Sequence, residues 1–172
     1  VWVAGKEQKA NLNQLELKLE NPILWQGKEN PYMYRCIVEL RIENEIYDSV
    51  ELPFGFRNIE MKPESGFYLN GEHIKLHGVA KHQDFEGKAC GTGAAEQKKD
   101  MELIEEIGAN AVRLSHYQHP AYTYDLCDKM GFIVWAEIPM LAMPDGNEAI
   151  VENAKEQLKE LILQNKHHPS IC

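Results

Sequence analysis

The chain is short of positive charge. Against 27 Asp and Glu it carries only 18 Lys and Arg, a net charge of −9 over 172 residues. Surfaces that hold nucleic acid or anionic membrane are basic, so this balance argues against both as partners. No apolar run approaches the ~18 residues of a membrane span. The opening "VWVAGKEQKANLNQ" has no basic leader followed by an apolar core, so no signal peptide is visible in this segment; localisation stays open, with the cytoplasm favoured. Cys36, Cys90, Cys127 and Cys172 form no C-x-x-C pair, which leaves zinc-knuckle and thioredoxin chemistry without support. They read as reduced thiols that pack as small hydrophobes. Seven histidines invite a metal reading, yet no H-E-x-x-H or H-x-H occurs, and no metal site is expected. The glycine-rich "ACGTGAAEQKKD" matches neither phosphate-loop pattern.

What is present begins as β structure. "QLELKLE" alternates Leu15, Leu17 and Leu19 with polar residues. "YRCIVELRI" places Tyr34, Cys36, Val38, Leu40 and Ile42 on one face and Arg35, Glu39 and Arg41 on the other, with Ile37 as the exception. A period of two marks a half-buried strand with one wet face. Between them lie Asn21-Pro22, Gly27 and Asn30-Pro31, which is loop chemistry. "SVELPFGFRNIEM" continues the pattern, broken by Pro53 and Gly55. Short strands joined by turns predict part of an antiparallel sandwich. In "GFYLNGEHIKLHGV", Asn70-Gly71 between two β-like runs is the strongest short hairpin signal, because a type I′ turn needs positive φ at both central residues. The second arm of that hairpin is expected over His73–Val79.

The period then changes. Met101, Ile104 and Ile107 recur at helical spacing, and Gly108 is a helix stop. "NAVRLS" reads as a short strand. "HPAYTYDLCDKMG" opens a helix on Pro120 and closes it on Gly131. "FIVWAE" is another strand. Val151, Ala154, Leu158, Leu161 and Asn165 share one face of a last helix, with Glu148 and Glu152 early and Lys166 late to suit its dipole. "PSIC" starts a further strand. From His73 the order is β-α-β-α-β-α-(β), which implies parallel βαβ units. A linker is expected near Met61–Gly66, dividing the chain at 1–62 and 63–172.

Parallel α/β domains bind ligands at the carboxyl ends of their strands. Three strand ends here carry polar or aromatic groups: Lys81, His82, Gln83 and Asp84; then Arg113, Ser115, His116, Tyr117 and His119; then Trp135 and Glu137. Each has a bland alternative. Arg113 can pair with Glu137 as a structural ion pair, since a buried arginine needs a carboxylate. His82 and His116 can be satisfied core histidines. Asp84 can cap a loop, and His119 can be no more than the residue before a helix. His167-His168 reads as a solvated helix end. Trp135 is either core or a stacking face for a ring.

These segments resemble glycoside hydrolase family 2, and most closely its β-galactosidase branch, from about Asn21 onward. "NPILWQGKENPYMYRCIVEL" and "FGFRNIEM" resemble the family's immunoglobulin-like middle domain. "GFYLNGEHIKLHGVAKHQD" resembles the lead into its barrel. "NAVRLSHYQHPAYTYDLCDKMGFIVWAE" resembles the family signature, with Gln118-His119 inserted before Pro120. The resemblance implies the end of an immunoglobulin-like β-sandwich over 1–62, followed over 63–172 by about the first three βα units of a TIM (β/α)8 barrel.

It also implies a retaining glycosidase acting on terminal β-galactosides, with β-glucuronidase and β-mannosidase as alternatives in the same family. A non-catalytic carbohydrate- or protein-binding module is the alternative of a different class. By resemblance both catalytic glutamates fall beyond Cys172, so no residue here is assigned as catalytic and the chain alone is expected to be inactive. His82, Arg113, His116, Glu137, Asp84 and Trp135 are expected to bind substrate or support the site. Magnesium-binding relatives carry a Glu-x-His where this chain reads "IPMLAMP", so no metal or other cofactor is expected. The expected partner is a carbohydrate, and open strand edges suggest self-association into a homo-oligomer.

Overall fold

The computed structural model describes residues 18–140 and 147–172, together with two short paired strands, β1 (Trp2–Val3) and β2 (Lys6–Glu7). The alternation expected at Leu15 and Leu17 lies outside the described residues; Leu19 is half-buried and not in a strand. β3 (Tyr34–Ile42) and β4 (Glu45–Phe54) form an antiparallel hairpin turned by Glu43 and Asn44, both at positive φ. A register shift falls between Leu40 and Arg41. Pro53 is accommodated near the end of β4 opposite Arg35. Val38, Leu40, Ile42, Ile46 and Val50 are each about half exposed, because among the described residues no second sheet covers that face. Period two marks the face that wants cover; it does not supply it.

The presumed linker at Met61–Gly66 is instead a tight connection. β5 (Ile59–Lys62) pairs antiparallel with β6 (Gly66–Leu69), and Ser65 N–H donates to the Lys62 carbonyl at 3.2 Å. Asn70 (φ 52°) and Gly71 (φ 85°) then make the expected turn into β7 (Glu72–His73). That second arm is shorter than expected. Gly78 does not end it but begins the first parallel strand, β8 (Gly78–Lys81).

Three parallel strands follow in the order β8, β9 (Ala111–Leu114), β10 (Ile133–Ala136), with Ala111 aligned on both Gly78 and Ile133. Gly78 is required where the strands meet, since a Cβ there would sit 2.2 Å from the Ala111 carbonyl oxygen. Helices α1 (Ala94–Glu106), α2 (Ala121–Met130) and α3 (Glu148–Asn165) alternate with them. Val112, Leu114 and Val134 turn outward and bury against Met101, Ile104, Tyr124 and Cys127 of α1 and α2. Each such buried side chain contributes about 1.5–3 kcal/mol. Ile107 does not join them; it lies past the last helical residue and is two-thirds exposed. Gln97 takes the inner position instead, its amide donating to Thr92 Oγ1 at 2.6 Å and accepting from Thr123 Oγ1 at 2.9 Å. Gly131 ends α2 at φ 73°, where a Cβ would strike the Gly27 carbonyl oxygen at 2.3 Å.

On α3, Leu161 and Asn165 are buried while Leu158 is exposed, so only the last turns of the expected face are covered. Ile171 bridges to Val134 in parallel, the start of a fourth strand. Cys127 is the one fully buried cysteine, its thiol pushed up by burial; Cys90 is exposed, and Cys172 Sγ donates to the Val134 carbonyl at 3.2 Å.

Candidate active site at the strand ends

The strand alternation decides which side chains meet. Ala80, Arg113 and Trp135 are aligned neighbours across β8, β9 and β10. Successive residues alternate faces, so with Val112, Leu114 and Val134 turned to the helices, these three face the inside of the curved sheet. They line one side of an apolar cavity of about 600 Å³ that also takes in Phe67, Leu76 and Ile133. Trp135 is 59% exposed on this inner wall.

Arg113 is held by a bidentate pair. Its Nε donates to Glu137 Oε1 at 2.5 Å and its Nη2 to Oε2 at 3.2 Å. The planar guanidinium fork matches a carboxylate in this way, and a charge-assisted pair is about twice as strong as a neutral hydrogen bond. Arg113 pulls Glu137 below the usual carboxylate range, and Glu137 in turn raises Arg113.

His116 closes the cluster. Its Nδ1 lies 3.1 Å from Arg113 Nη2 and 3.3 Å from Glu137 Oε2. Arg113 can only donate, so Nδ1 accepts from it in one tautomer and donates to Glu137 in the other. Among the described residues Nε2 makes no hydrogen bond. His82 stands beside it with ring centroids 5.1 Å apart, edge to face, and its Nδ1 reaches Tyr117 Oη at 3.4 Å.

The structure thus brings together four of the six residues expected from sequence: Arg113, Glu137, His116 and, by ring contact, His82. Trp135 is level with Arg113 across the sheet. Asp84 is exposed, and its carboxylate makes no hydrogen bond or ion pair among the described residues. The choice between structural ion pair and ligand-facing group for Arg113 is not exclusive, because the pair itself is part of the exposed cluster.

Two supporting residues carry more than their sequence context suggested. Lys81, 5% exposed on the helix side of β8, pairs with Asp100 of α1 at 2.8 Å and donates to the His82 carbonyl at 2.8 Å. A lysine in a short strand otherwise made of glycine, valine and alanine was the available signal. His119 is not simply the residue before a helix: it is buried, its Nε2 contacts the Ser115 carbonyl at 3.0 Å, and its ring stacks on Tyr117. Burial holds its basicity down. His168 likewise corrects the solvated-end reading. It is 4% exposed and its Nδ1 meets Asp128 Oδ2 at 2.6 Å. Among the described residues no group of three potential metal ligands comes together.

Parallel strands backed by helices, with a polar cluster at their carboxyl ends and an antiparallel hairpin before them, fit the class of a β-sandwich followed by the start of an α/β barrel. The chain matches the glycosyl hydrolases family 2 description over residues 3–57 and that of the glycosyl hydrolases family 2 TIM barrel domain over residues 59–172. It belongs to glycosyl hydrolases family 2.

Among its relatives, the β-glucuronidase of Bacteroides fragilis is 42% identical over 169 residues, covering 94% of this chain and 24% of that protein. The β-galactosidase of Thermoanaerobacter pseudethanolicus is 38% identical over 167 residues, covering 96% of this chain and 22% of that one. The crystal structure of Parabacteroides merdae β-glucuronidase with glycerol in its active site superposes with a TM-score of 0.84 at 32% identity, covering 92% of this chain and 20% of that one. The chain spans about a quarter of the length of the curated relatives it matches.

Proposed function

We propose that the full-length protein hydrolyses terminal β-glycosides with retention of configuration, and that this chain supplies the supporting half of its active site. The observation that carries the reading is the Arg113–Glu137–His116 cluster beside His82 at the barrel mouth. An oxocarbenium-like transition state needs carboxylates held in place by cations, and sugar hydroxyls read by fixed donors. Arg113 orients Glu137. His116 and His82 hydrogen-bond the sugar. Trp135 offers a stacking face to the ring, and Asp84 offers a free carboxylate to a hydroxyl.

Glu137 is not the general acid. That role requires a carboxyl that holds its proton near neutral pH, whereas Arg113 drives Glu137 the other way. Two carboxylates complete the chemistry without a metal or an organic cofactor. The partner is accordingly a carbohydrate.

For the sugar, the first reading is a terminal β-galactoside, from the signature in "NAVRLSHYQHP". The second is a β-glucuronide, favoured by the 42% identity to the B. fragilis β-glucuronidase. The test is the full-length protein against aryl β-galactoside and aryl β-glucuronide, with residues 1–172 in parallel. Turnover of the galactoside by the full-length protein, and none by residues 1–172, is expected. Cleavage of the glucuronide alone selects the second sugar. Cleavage of neither, or turnover by residues 1–172, contradicts the proposal.

A further inference from the structure

The start of the fourth parallel strand is held from two directions. On the barrel side, Val134 N–H donates to the Ser170 carbonyl at 2.9 Å and Cys172 N–H to the Val134 carbonyl at 3.1 Å. Below that, Asp128 at the end of α2 accepts from Ser170 N–H at 3.1 Å and from His168. These bonds engage one edge of the segment. Because backbone groups alternate sides along a strand, the carbonyls of Pro169 and Ile171 face the opposite edge.

Arg57 occupies that edge. Its Nε donates to the Pro169 carbonyl at 3.0 Å and its Nη2 to the Ile171 carbonyl at 2.6 Å. Arg57 belongs to the "FGFR" stretch that ends the sandwich part of the chain. Two residues earlier, Gly55 passes so close to this segment that a Cβ would sit 2.7 Å from Pro169 Cγ. Arg57 is half-buried and forms no ion pair with a carboxylate among the described residues. A desolvated cation given to two main-chain carbonyls is costly unless the geometry it enforces matters.

We propose that Arg57 is a positioning residue for the barrel site, setting the register of the fourth strand from the sandwich side. The inference rests on the glycosidase reading above. The strand runs parallel to β10, so its carboxyl end opens on the same mouth as Glu137 and His116. A guanidinium that fills the free edge at Pro169 and Ile171 also excludes a neighbouring strand from pairing there, so a fifth strand pairs only further along. A shift at this point displaces whatever the strand carries at the mouth.

The test uses full-length wild type, Arg57→Lys and Arg57→Met, read by amide hydrogen exchange and by steady-state kinetics on whichever aryl β-glycoside the wild type cleaves. In Arg57→Met, exchange at Ser170 and Cys172 is expected to speed at least about tenfold more than at Val112 and Leu114, as for a local opening. In the same variant kcat falls about 10- to 100-fold with KM little changed, the cost of misplaced catalytic geometry. Arg57→Lys, which keeps the charge but loses the planar fork, recovers part of both; should the Met variant not fold, the Lys variant carries both readouts. Exchange that rises equally across the barrel, or an unchanged kcat, overturns the proposal. If the wild type cleaves neither glycoside, the proposed function falls, and the exchange pattern decides Arg57 alone: localised supports it, uniform overturns it.

Discussion

Glu137→Gln in the full-length protein is expected to lower kcat/KM on its aryl β-glycoside by about 100-fold or more, the scale of losing one preorganised electrostatic partner at a reacting centre. The substitution keeps the shape and removes the charge. Arg113 then loses the carboxylate that both its donors engage, and its positive charge is free to swing toward other carboxylates or to be neutralised by solvent ions. His116 loses its fixed position with it, because its Nδ1 contacts both the guanidinium and Glu137.

The pH dependence has a definite sign. Glu137 has a folded-state pKa below its ordinary value of 4.5. Its pairing therefore contributes stability fully above that ordinary value, and the contribution is lost as pH falls through the lower folded value. The wild type and Glu137→Gln should differ in Tm at neutral pH and converge only below about pH 4. Convergence at a higher pH would mean that Arg113 does not hold Glu137 ionised.

His168→Ala is expected to destabilise the fold by about 3–5 kcal/mol, because it strips a buried carboxylate of its partner. Asp128 is 1% exposed and serves three elements. Its carboxylate takes His168 and the Ser170 amide, while its carbonyl accepts the buried Trp25 indole N–H at 2.9 Å. Asp128→Asn retains one acceptor oxygen and should cost less. Denaturant unfolding of each variant checks the order; His168→Ala within about 1 kcal/mol of wild type, the scale of a surface pair, would place the Asp128–His168 contact outside the core.

The parts of this molecule that were legible in the sequence are those governed by local rules. The Asn70-Gly71 turn, the Gly131 helix stop and the order of strands and helices after Gly78 follow from backbone preferences and hydrophobic period. So does the gathering of Arg113, His116, Glu137 and His82, because strand ends in a parallel sheet share one mouth. What was not legible depends on partners distant in sequence. His168 looks solvated beside Lys166 and His167, yet it is buried against Asp128 and Tyr124 of α2, far away in sequence. Lys81 reads as one polar residue among several until Asp100 of α1 is placed against it. Met61–Gly66 reads as a linker because proline and glycine punctuate it, yet β5 and β6 pair across it. The open face of β3 and β4 shows the converse: period two identifies the side that seeks burial, and the cover must come from elsewhere.

The most direct test of the central claim, that this strand-end cluster contacts and supports a glycoside in the act of hydrolysis, is the activity of His116→Ala in the full-length protein. His116 has Nδ1 held between Arg113 and Glu137 and makes no other hydrogen bond among the described residues, so its removal is expected to take a sugar contact without emptying the core. The account predicts that kcat/KM on the aryl β-glycoside falls by about 100-fold while Tm moves little. Unchanged kcat/KM in a folded His116→Ala protein would contradict it.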